Sequence, residues 1–171
     1  MDFNTSMNGR TKIYLDNDTG NYFTFIGNSE HKYFIPELEQ LANMGNPIAQ
    51  CAMGDYYNTN TQHADYRKAF EWYEKAANQA YAEALFNLSN FYVTGMGVVE
   101  IDFDKAVTLM EESAKQGFID AMFHLGMMYS TNDEYNKAIY WLEKADNAGH
   151  SETHIFLKTT KLLSDAINLI P

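Results

Sequence analysis

Two short stretches of the sequence carry side chains that could bind a metal ion. DNDTGN at residues 16–21 has aspartates at the first and third places of a calcium loop, but its fifth place is Gly20 and its twelfth is Gly27. A calcium loop needs an oxygen ligand at the fifth place and a bidentate glutamate at the twelfth, so we predict a hairpin turn. HSETH places His150 and His154 four residues apart, but it lacks the H-E-x-x-H pattern and begins in a predicted inter-helix turn. We therefore expect no metal ion.

The remaining candidates for catalysis are one cysteine and one histidine. When the chain is aligned with itself, Cys51 matches Phe86 and Phe123, which favours a small buried apolar side chain over a nucleophile. His124 matches Asn87 and Ala52, so we predict a variable, outward-facing position with no general-base role. The sequence contains no serine elbow, phosphate-binding loop, kinase motif set or paired-carboxylate arrangement. We expect no catalytic residue and no cofactor, and hence a protein that is not an enzyme.

The charge balance bears on the class of partner. The 171 residues include 12 basic and 23 acidic side chains, for a net charge of −11. Such a field repels nucleic acid and anionic lipid and attracts basic partners. An acidic balance can also serve solubility alone, and both interpretations stay open. Apolar residues make up 46% of the chain, which excludes general disorder.

Three features of the sequence bear on location. The single cysteine, Cys51, excludes an internal disulfide framework and favours a reducing compartment. The N-terminus, MDFNTSMNGR, lacks the basic start and apolar core of a secretory signal. The apolar tail is interrupted by Lys158, Lys161 and Asp165, so it is not expected to span a bilayer. We predict a cytoplasmic location without membrane contact.

The strongest signal in the sequence is an internal repeat. Ala49, Ala84 and Ala121 each open a block of similar sequence, and they lie 35 and 37 residues apart. The three first blocks are AQCAMGDYY (49–57), ALFNLSNFY (84–92) and AMFHLGMMY (121–129). The three second blocks are KAFEWYEKAANQA (68–80), KAVTLMEESAKQG (105–117) and KAIYWLEKADNAG (137–149). A half-copy, PELEQLANMGNPIAQ, precedes them.

Each block is predicted to be a helix, because its apolar residues recur at helical spacing. Small residues at Gly54, Ser89 and Gly126 would let two helix backbones approach closely. Large aromatic residues such as Trp72 and Trp141 would then fill the space between neighbouring helix pairs. Stacked pairs of this kind bury a continuous core that one pair cannot bury alone.

These spaced motifs resemble the Sel-1-like repeat, a relative of the tetratricopeptide repeat. YVTGMGVVEIDFDKA at residues 92–106 resembles the glycine-rich loop of that family, and KAFEWYEKAANQA at residues 68–80 resembles its second helix. Three units and a leading half-unit cover about residues 36–152. The resemblance implies an all-α fold, a right-handed superhelical solenoid of helix-turn-helix repeats.

The repeat departs from the family pattern at one helix end. Ala80 stands where Gly117 and Gly149 end the second helices of the later units. That position usually requires a left-handed backbone. We therefore expect Ala80 to carry a steric strain that glycine would relieve.

The two ends of the chain are predicted to cap the repeats. In residues 1–35, the stretch TKIYLDNDTGNYFTFI (11–26) favours a β-hairpin. The hairpin could cover the first helix or stay free to pair with a partner strand. Residues 153–171 are predicted to form an amphipathic C-terminal capping helix, with Lys158 and Lys161 where the earlier units have a small residue and tyrosine.

The resemblance also implies a function in binding. Sel-1-like repeat proteins are adaptors whose concave face, built from the first helix of each unit, receives a partner protein. The exposed first-helix positions here would be Asp55, Asn58, Asn90, Val93, Met127 and Ser130, with Glu83 and Asp120 at the entrances to the later first helices. The acidic residues Glu100, Asp102 and Asp104 belong either to an ordinary solvated face or to the docking surface for a basic partner.

A narrower hypothesis assigns the module a specific function. Short bacterial proteins of this family include immunity proteins that inhibit secreted antibacterial toxins, and an acidic inhibitor can compete for the basic cleft of a nuclease-type toxin. An adaptor or regulator of another pathway is the broader alternative. A hydrolase with its site in the concave groove is a remote third one. Neither nucleic acid nor a membrane is expected as a partner.

Overall fold

A computed structural model describes residues 14–15, 21–25, 30–58, 64–96 and 98–168. Within these residues the chain forms three short strands and eight helices. In chain order they are β1 (Tyr14–Leu15), β2 (Tyr22–Thr24), β3 (Tyr33–Phe34), α1 (Ile35–Asn43), α2 (Pro47–Asn58), α3 (Tyr66–Ala77), α4 (Ala82–Thr94), α5 (Phe103–Lys115), α6 (Ile119–Thr131), α7 (Tyr135–Asn147) and α8 (Thr153–Asn168). The predicted all-α fold of helix-turn-helix repeats is confirmed.

The chain divides into two compact units, residues 1–109 and residues 110–171, and the division falls within α5. In the first unit α1 packs on α2, α2 on α3, and α3 on α4. In the second unit α6 packs on α7, and α7 packs on α8. Short connections place consecutive helices side by side, as the repeat predicts.

A three-stranded antiparallel sheet begins the first unit. Tyr14 of β1 pairs with Phe23 of β2, which in turn pairs with Phe34 of β3. The predicted hairpin is confirmed, although its turn, residues 16–20, lies outside the described residues. The third strand was not predicted. Within the first unit the ring of Tyr22 lies 5.9 Å from that of Tyr56, so the sheet contacts α2.

The second helix of each repeat ends in a left-handed backbone. Gly45, Gly117 and Gly149 have φ values of 94°, 94° and 88°, and Ala80 has a φ of 56°. The predicted left-handed conformation of Ala80 is therefore confirmed. Two backbone hydrogen bonds close this turn, from Ala80 N to Ala77 O at 2.8 Å and from Tyr81 N to the α3 carbonyl of residue 76 at 3.2 Å.

Replacing Ala80 by glycine should stabilise the protein by about 1 kcal/mol, because glycine adopts positive φ without the Cβ clash. Urea unfolding followed by circular dichroism measures the change. Gly117→Ala is the reciprocal control: nothing lies within 4 Å of its added Cβ, so only the backbone cost applies. A clear loss of stability in Ala80→Gly would contradict the assignment of strain to this helix end.

The predicted close helix approach at the small residues is also present. A Cβ added to Gly54 would lie 2.5 Å from the ring of Tyr73, and one added to Gly126 would lie 2.7 Å from Cγ of Leu142. Tyr73 is only 1% exposed and Leu142 is fully buried. Since neither neighbour can move aside into solvent, these positions of the repeat accept only small residues.

Each repeat also places a lysine on a tyrosine in the last turn of its first helix. The Nζ atom of Lys105 lies 4.3 Å from the ring centre of Tyr92. The matching pairs are Lys68 with Tyr57 at 5.0 Å and Lys137 with Tyr129 at 4.9 Å. Cation–π contacts of this length are attractive, which gives the recurring lysine and tyrosine of the repeat a shared structural role.

Candidate functional site

The six first-helix residues predicted to be exposed are all half-buried, and their role in binding a partner stays a prediction. They are Asp55, Asn58, Asn90, Val93, Met127 and Ser130. They are half-buried because neighbouring side chains cover them. Val93 packs against the core of the first unit, and Met127 packs against a cluster in the second. Ser130 Oγ lies 3.2 Å from Thr160 Oγ1 of α8.

Glu83 and Asp120 lie where the sequence predicted, in the first turns of α4 and α6, but they are buried rather than accessible. They are 3% and 4% exposed. Tyr81 donates a hydrogen bond from its hydroxyl to Glu83 at 3.2 Å. An Asp120 carboxylate oxygen lies 3.8 Å from Nε2 of His150. Carboxylates favour a helix N-terminus, so both residues have a structural role there.

A polar network links the first helices of two successive repeats within the first unit. The Tyr73 hydroxyl donates to Asp55 Oδ1 at 2.7 Å, and the Asn87 amide donates to the same oxygen at 3.3 Å. Asn87 also donates to Sγ of Cys51 at 3.7 Å. The sequence predicted an outward-facing position for His124 and its counterparts Asn87 and Ala52. Ala52 is fully buried, and both Asn87 and His124 are half-buried, so that prediction is wrong.

Cys51 has the environment of an unreactive thiol. Its side chain is fully buried, and burial raises its thiol pKa well above the ordinary value, with the charges of Asp55 and Glu83 adding to the effect. The thiolate is the nucleophilic form of cysteine, and this site disfavours it. The prediction of a small buried side chain is confirmed.

One group in the described part of the chain has the composition of a metal site. The ligand atoms of Cys51, Asp55 and Glu83 all lie within 4.8 Å of one another. Zinc accepts thiolate and carboxylate ligands, but here the thiol pKa is raised. One oxygen of each carboxylate already accepts a hydrogen bond, Asp55 Oδ1 from Tyr73 and Glu83 Oε2 from Tyr81. Neither a metal nor a cofactor is assigned to it. The sequence prediction missed the group because its members are up to 32 residues apart.

A second polar network, in the second unit, combines histidine, threonine and aspartate, residue types that also occur together in catalytic sites. His150 Nδ1 lies 2.9 Å from Thr153 Oγ1, and its ring stacks on Phe123 with centres 4.1 Å apart. Asp120 lies on the other side of the imidazole. Thr153 is completely buried at the start of α8, so its hydroxyl cannot meet a substrate. The network fixes the α7–α8 turn, which is where the sequence predicted His150.

The acidic residues predicted for a basic partner are exposed, and they lie around one open hollow of 580 Å³ in the first unit. We call it the acidic hollow. Its lining residues are Tyr92, Glu100, Ile101, Asp102, Phe103, Asp104 and Lys105. All of them except Tyr92 are exposed. Among the sites that the sequence proposed, this is the one whose predicted residues are exposed rather than half-buried or buried.

Backbone hydrogen bonds hold the loop that carries these acidic side chains. The Asp102 N–H donates to the Tyr92 carbonyl at 2.9 Å, and the Val98 N–H donates to the Gly95 carbonyl at 2.9 Å. Asp102 also caps α5, since its Oδ1 accepts from the Lys105 N–H at 2.9 Å. Aspartate is a favoured cap, so Asp102 has a structural role besides its charge.

Glu111, a further acidic residue of α5, is held by its own neighbours. Tyr129 donates to Glu111 at 2.6 Å and Lys115 donates at 2.9 Å. These hydrogen bonds, that of Tyr129 first, lower the Glu111 pKa below its ordinary value. The negative charge of Glu111 therefore stabilises the folded second unit.

Tyr129→Phe should lower the free energy of unfolding by about 1 kcal/mol at pH 7, the net worth of one hydrogen bond. A carboxyl whose pKa is lowered by folding stabilises above its unfolded pKa, and that stability is lost as the pH falls through the folded pKa. The difference between wild type and Tyr129→Phe should therefore shrink below about pH 4. Urea titrations at pH 7 and pH 3.5 measure it, and a difference independent of pH would contradict the link to Glu111.

The fold and the repeat geometry agree with the comparisons with known proteins. The Sel1 repeat family model matches three consecutive segments, residues 47–81, 82–118 and 119–150. The chain therefore belongs to the Sel1 repeat family, whose members generally serve in protein–protein interaction. Within the described residues, none of the helices has the length and apolar character needed to cross a membrane.

Two solved structures have the same fold. A Sel1 repeat protein from Oxalobacter formigenes is 29% identical over 70% of this chain, with a TM-score of 0.63. The c5321 protein, a protective antigen of uropathogenic Escherichia coli strains with an SLR fold, is 29% identical over 75% of this chain, with a TM-score of 0.70. The matches span 50% and 28% of those two chains. No curated protein matches.

Proposed function

We propose that the chain is a non-catalytic module that binds a basic partner protein through the acidic hollow. The observation that carries the proposal is the accessibility of three carboxylates, those of Glu100, Asp102 and Asp104. Glu100 and Asp104 have no side-chain partner among the described residues. Carboxylates at such a surface steer positively charged partners toward it.

The repeat itself supports a special role for the middle copy. Asp104 aligns with Arg67 in the preceding repeat and with Asn136 in the following one. A carboxylate is favourable in the first turn of a helix, where Asp104 lies. However, α3 and α7 begin without an acid in their first turns, and Asp102 supplies the cap of α5. The negative charge at residue 104 is thus a property of one repeat rather than of the fold.

The half-buried first-helix residues have a secondary role in this proposal. Asn58, Asn90 and Val93 in the first unit keep part of their surface accessible, as do Met127 and Ser130 in the second. Partly exposed amide and apolar groups suit short-range contacts that act after encounter. Asp55, Glu83 and Asp120 would support such contacts indirectly, through the buried networks they form.

An immunity function is the specific form of this proposal. If the partner is a toxin with a polyanionic substrate, its cleft is basic, and an acidic surface can occupy that cleft. The accessible carboxylates of the acidic hollow support two functions equally: an immunity protein for a basic toxin and an adaptor for another basic protein. The identity of the captured partner separates the two.

Affinity capture from the native source with three baits tests the proposal. The baits are wild type, E100Q/D102N/D104N, and a control that neutralises three exposed acids of α1 and α3, E39Q/E71Q/E74Q. Asparagine at residue 102 preserves the cap. We expect a basic partner that wild type and the control retain and E100Q/D102N/D104N loses. An acidic partner, or equal retention by all three baits, would contradict the proposal.

A further inference from the structure

The geometry of the acidic hollow points to a particular kind of partner segment. We propose that the hollow receives one large apolar side chain flanked by lysine or arginine residues of the partner protein. This inference rests on the proposed function and adds the apolar anchor to it. Its basis is the alternation of charged and apolar side chains in the sequence EIDFD, residues 100–104.

Two large apolar side chains line the hollow and face solvent. Ile101 is 57% exposed and Phe103 is 59% exposed. Single exposed apolar residues are common on protein surfaces, but these two are separated only by Asp102 and border the same concave surface. An apolar side chain of a partner could remove both from water at once, and the hydrophobic effect favours that burial.

The charges around these two side chains select the neighbours of that apolar group. Glu100, Asp102 and Asp104 each stand beside Ile101 or Phe103 in the sequence. The one base in the hollow, Lys105, has its Nζ over the ring of Tyr92. The lining therefore carries three negative charges against one positive charge, which complements a cationic segment and repels an acidic or phosphorylated one.

Hydrogen bonds to backbone atoms also hold the described residues that line the hollow. The Tyr92 carbonyl and the Gly95 carbonyl accept hydrogen bonds from the loop, and Asp102 caps α5. A Cβ added to Gly95 would meet Ile101 Cγ1 at 3.3 Å, so the base of the isoleucine packs on the backbone of the loop. A surface that is already ordered loses less conformational entropy on binding.

The corresponding positions of the other repeats lack this combination. Ile101 and Asp104 align with Ala64 and Arg67 in the preceding repeat. In the following repeat, Ile101 aligns with Asp133, whose carboxylate accepts a hydrogen bond from the Tyr135 hydroxyl at 2.6 Å. Phe103 has an aromatic counterpart in both other repeats, Tyr66 and Tyr135, so only the pairing of Ile101 with Asp104 is confined to the middle repeat.

Titration of the full-length ¹⁵N-labelled protein with synthetic peptides tests the inference. The probes are Lys-Arg-Phe-Arg-Lys, Lys-Arg-Ala-Arg-Lys and Glu-Asp-Phe-Asp-Glu, with blocked ends and at low salt. We expect the phenylalanine peptide to shift the amide signals of residues 100–105. The alanine peptide should bind about tenfold more weakly, the effect of losing a large apolar contact, and the acidic peptide should not bind.

Variants of the protein locate the contact. I101S/F103S should bind the phenylalanine peptide about tenfold more weakly and leave the affinity for the alanine peptide unchanged. The matched control is I155S/L162S, which removes two apolar side chains of α8 that are 73% and 62% exposed. It should bind both peptides like wild type. The amide spectrum of each variant shows whether it is folded. A further variant, Asp104→Arg, introduces the arginine of the preceding repeat and retains both apolar residues.

The possible results separate the inference from the proposed function. Equal affinity for the phenylalanine and alanine peptides, or an unchanged affinity in I101S/F103S, overturns the apolar anchor. If Asp104→Arg still weakens both peptides in that case, the basic-partner proposal stands without the anchor. If neither basic peptide shifts residues 100–105, the anchor is also overturned, and the basic-partner proposal is then decided by the capture experiment alone.

Discussion

Replacing Trp72 or Trp141 by alanine should lower the free energy of unfolding by roughly 3–5 kcal/mol, the usual cost of truncating a buried aromatic side chain. The two indoles occupy the same position in the first and third repeats and are 9% and 7% exposed. Trp72 packs with Leu38 and Met53 in one apolar cluster of the first unit. The Lys75 Nζ lies 3.8 Å from the centre of its ring. Alanine removes all of these contacts.

Urea unfolding measures both variants, and the fluorescence of the remaining tryptophan reports on one compact unit in each. Trp141 reports on the second unit in Trp72→Ala, and Trp72 reports on the first unit in Trp141→Ala. Tyr140→Ala is the matched control, because Tyr140 neighbours Trp141 but is 51% exposed. Its expected loss is below about 1 kcal/mol. Stability near that of wild type in both tryptophan variants would contradict the repeat packing.

Gly54→Ala should also destabilise the protein, by about 1–3 kcal/mol, although alanine favours helices. The added Cβ would lie 2.5 Å from two ring carbons of Tyr73. That ring is buried, and the hydrogen bond from its hydroxyl to Asp55 at 2.7 Å fixes its position. Overpacking of this kind outweighs the gain of about 1 kcal/mol in helix propensity.

Thermal unfolding and the near-ultraviolet circular dichroism of the tyrosines measure the effect of Gly54→Ala. A second substitution, Gly126→Ala, places its Cβ 2.7 Å from Leu142 Cγ and provides an independent copy of the test. A melting temperature at or above that of wild type in both variants would show that the helix pairs can separate without cost.

The helices were predictable from the sequence because the same spacing recurs in three copies. Ala80 shows that a comparison of the repeats can predict even a backbone conformation. Its left-handed backbone was inferred from the two glycines at the matching positions, and the structure has it at φ 56°. The strand Tyr33–Phe34 shows the limit, since two residues directly before a helix carry no periodic signal of their own.

Side-chain burial on the first helices could not be predicted in the same way. The exposure of Asp55, and of Asn90 and Met127 at the matching positions, was inferred from the resemblance to a known family of repeats. In the structure the Tyr73 hydroxyl reaches Asp55 from α3. Contacts between helices depend on which side chains are long enough to cross the gap, and spacing within one helix does not encode them.

The acidic hollow was predictable only in part. Its charges follow from the composition of residues 100–104. The exposure of Ile101 and Phe103 does not, because an alternation of charged and apolar residues is also typical of a half-buried strand. The structure shows that both apolar side chains are exposed and border the same hollow at the start of α5.

The rate of association with the captured partner, measured against ionic strength, tests most directly whether the acidic hollow binds a basic protein. Raising the salt from about 0.05 to 0.5 M shortens the Debye length to a few ångströms. The association rate constant of wild type and of E39Q/E71Q/E74Q should then fall at least about tenfold, while the dissociation rate constant changes less. E100Q/D102N/D104N should associate slowly at every salt concentration and keep a melting temperature close to that of wild type. An association rate indifferent both to salt and to this variant would contradict the proposed docking surface.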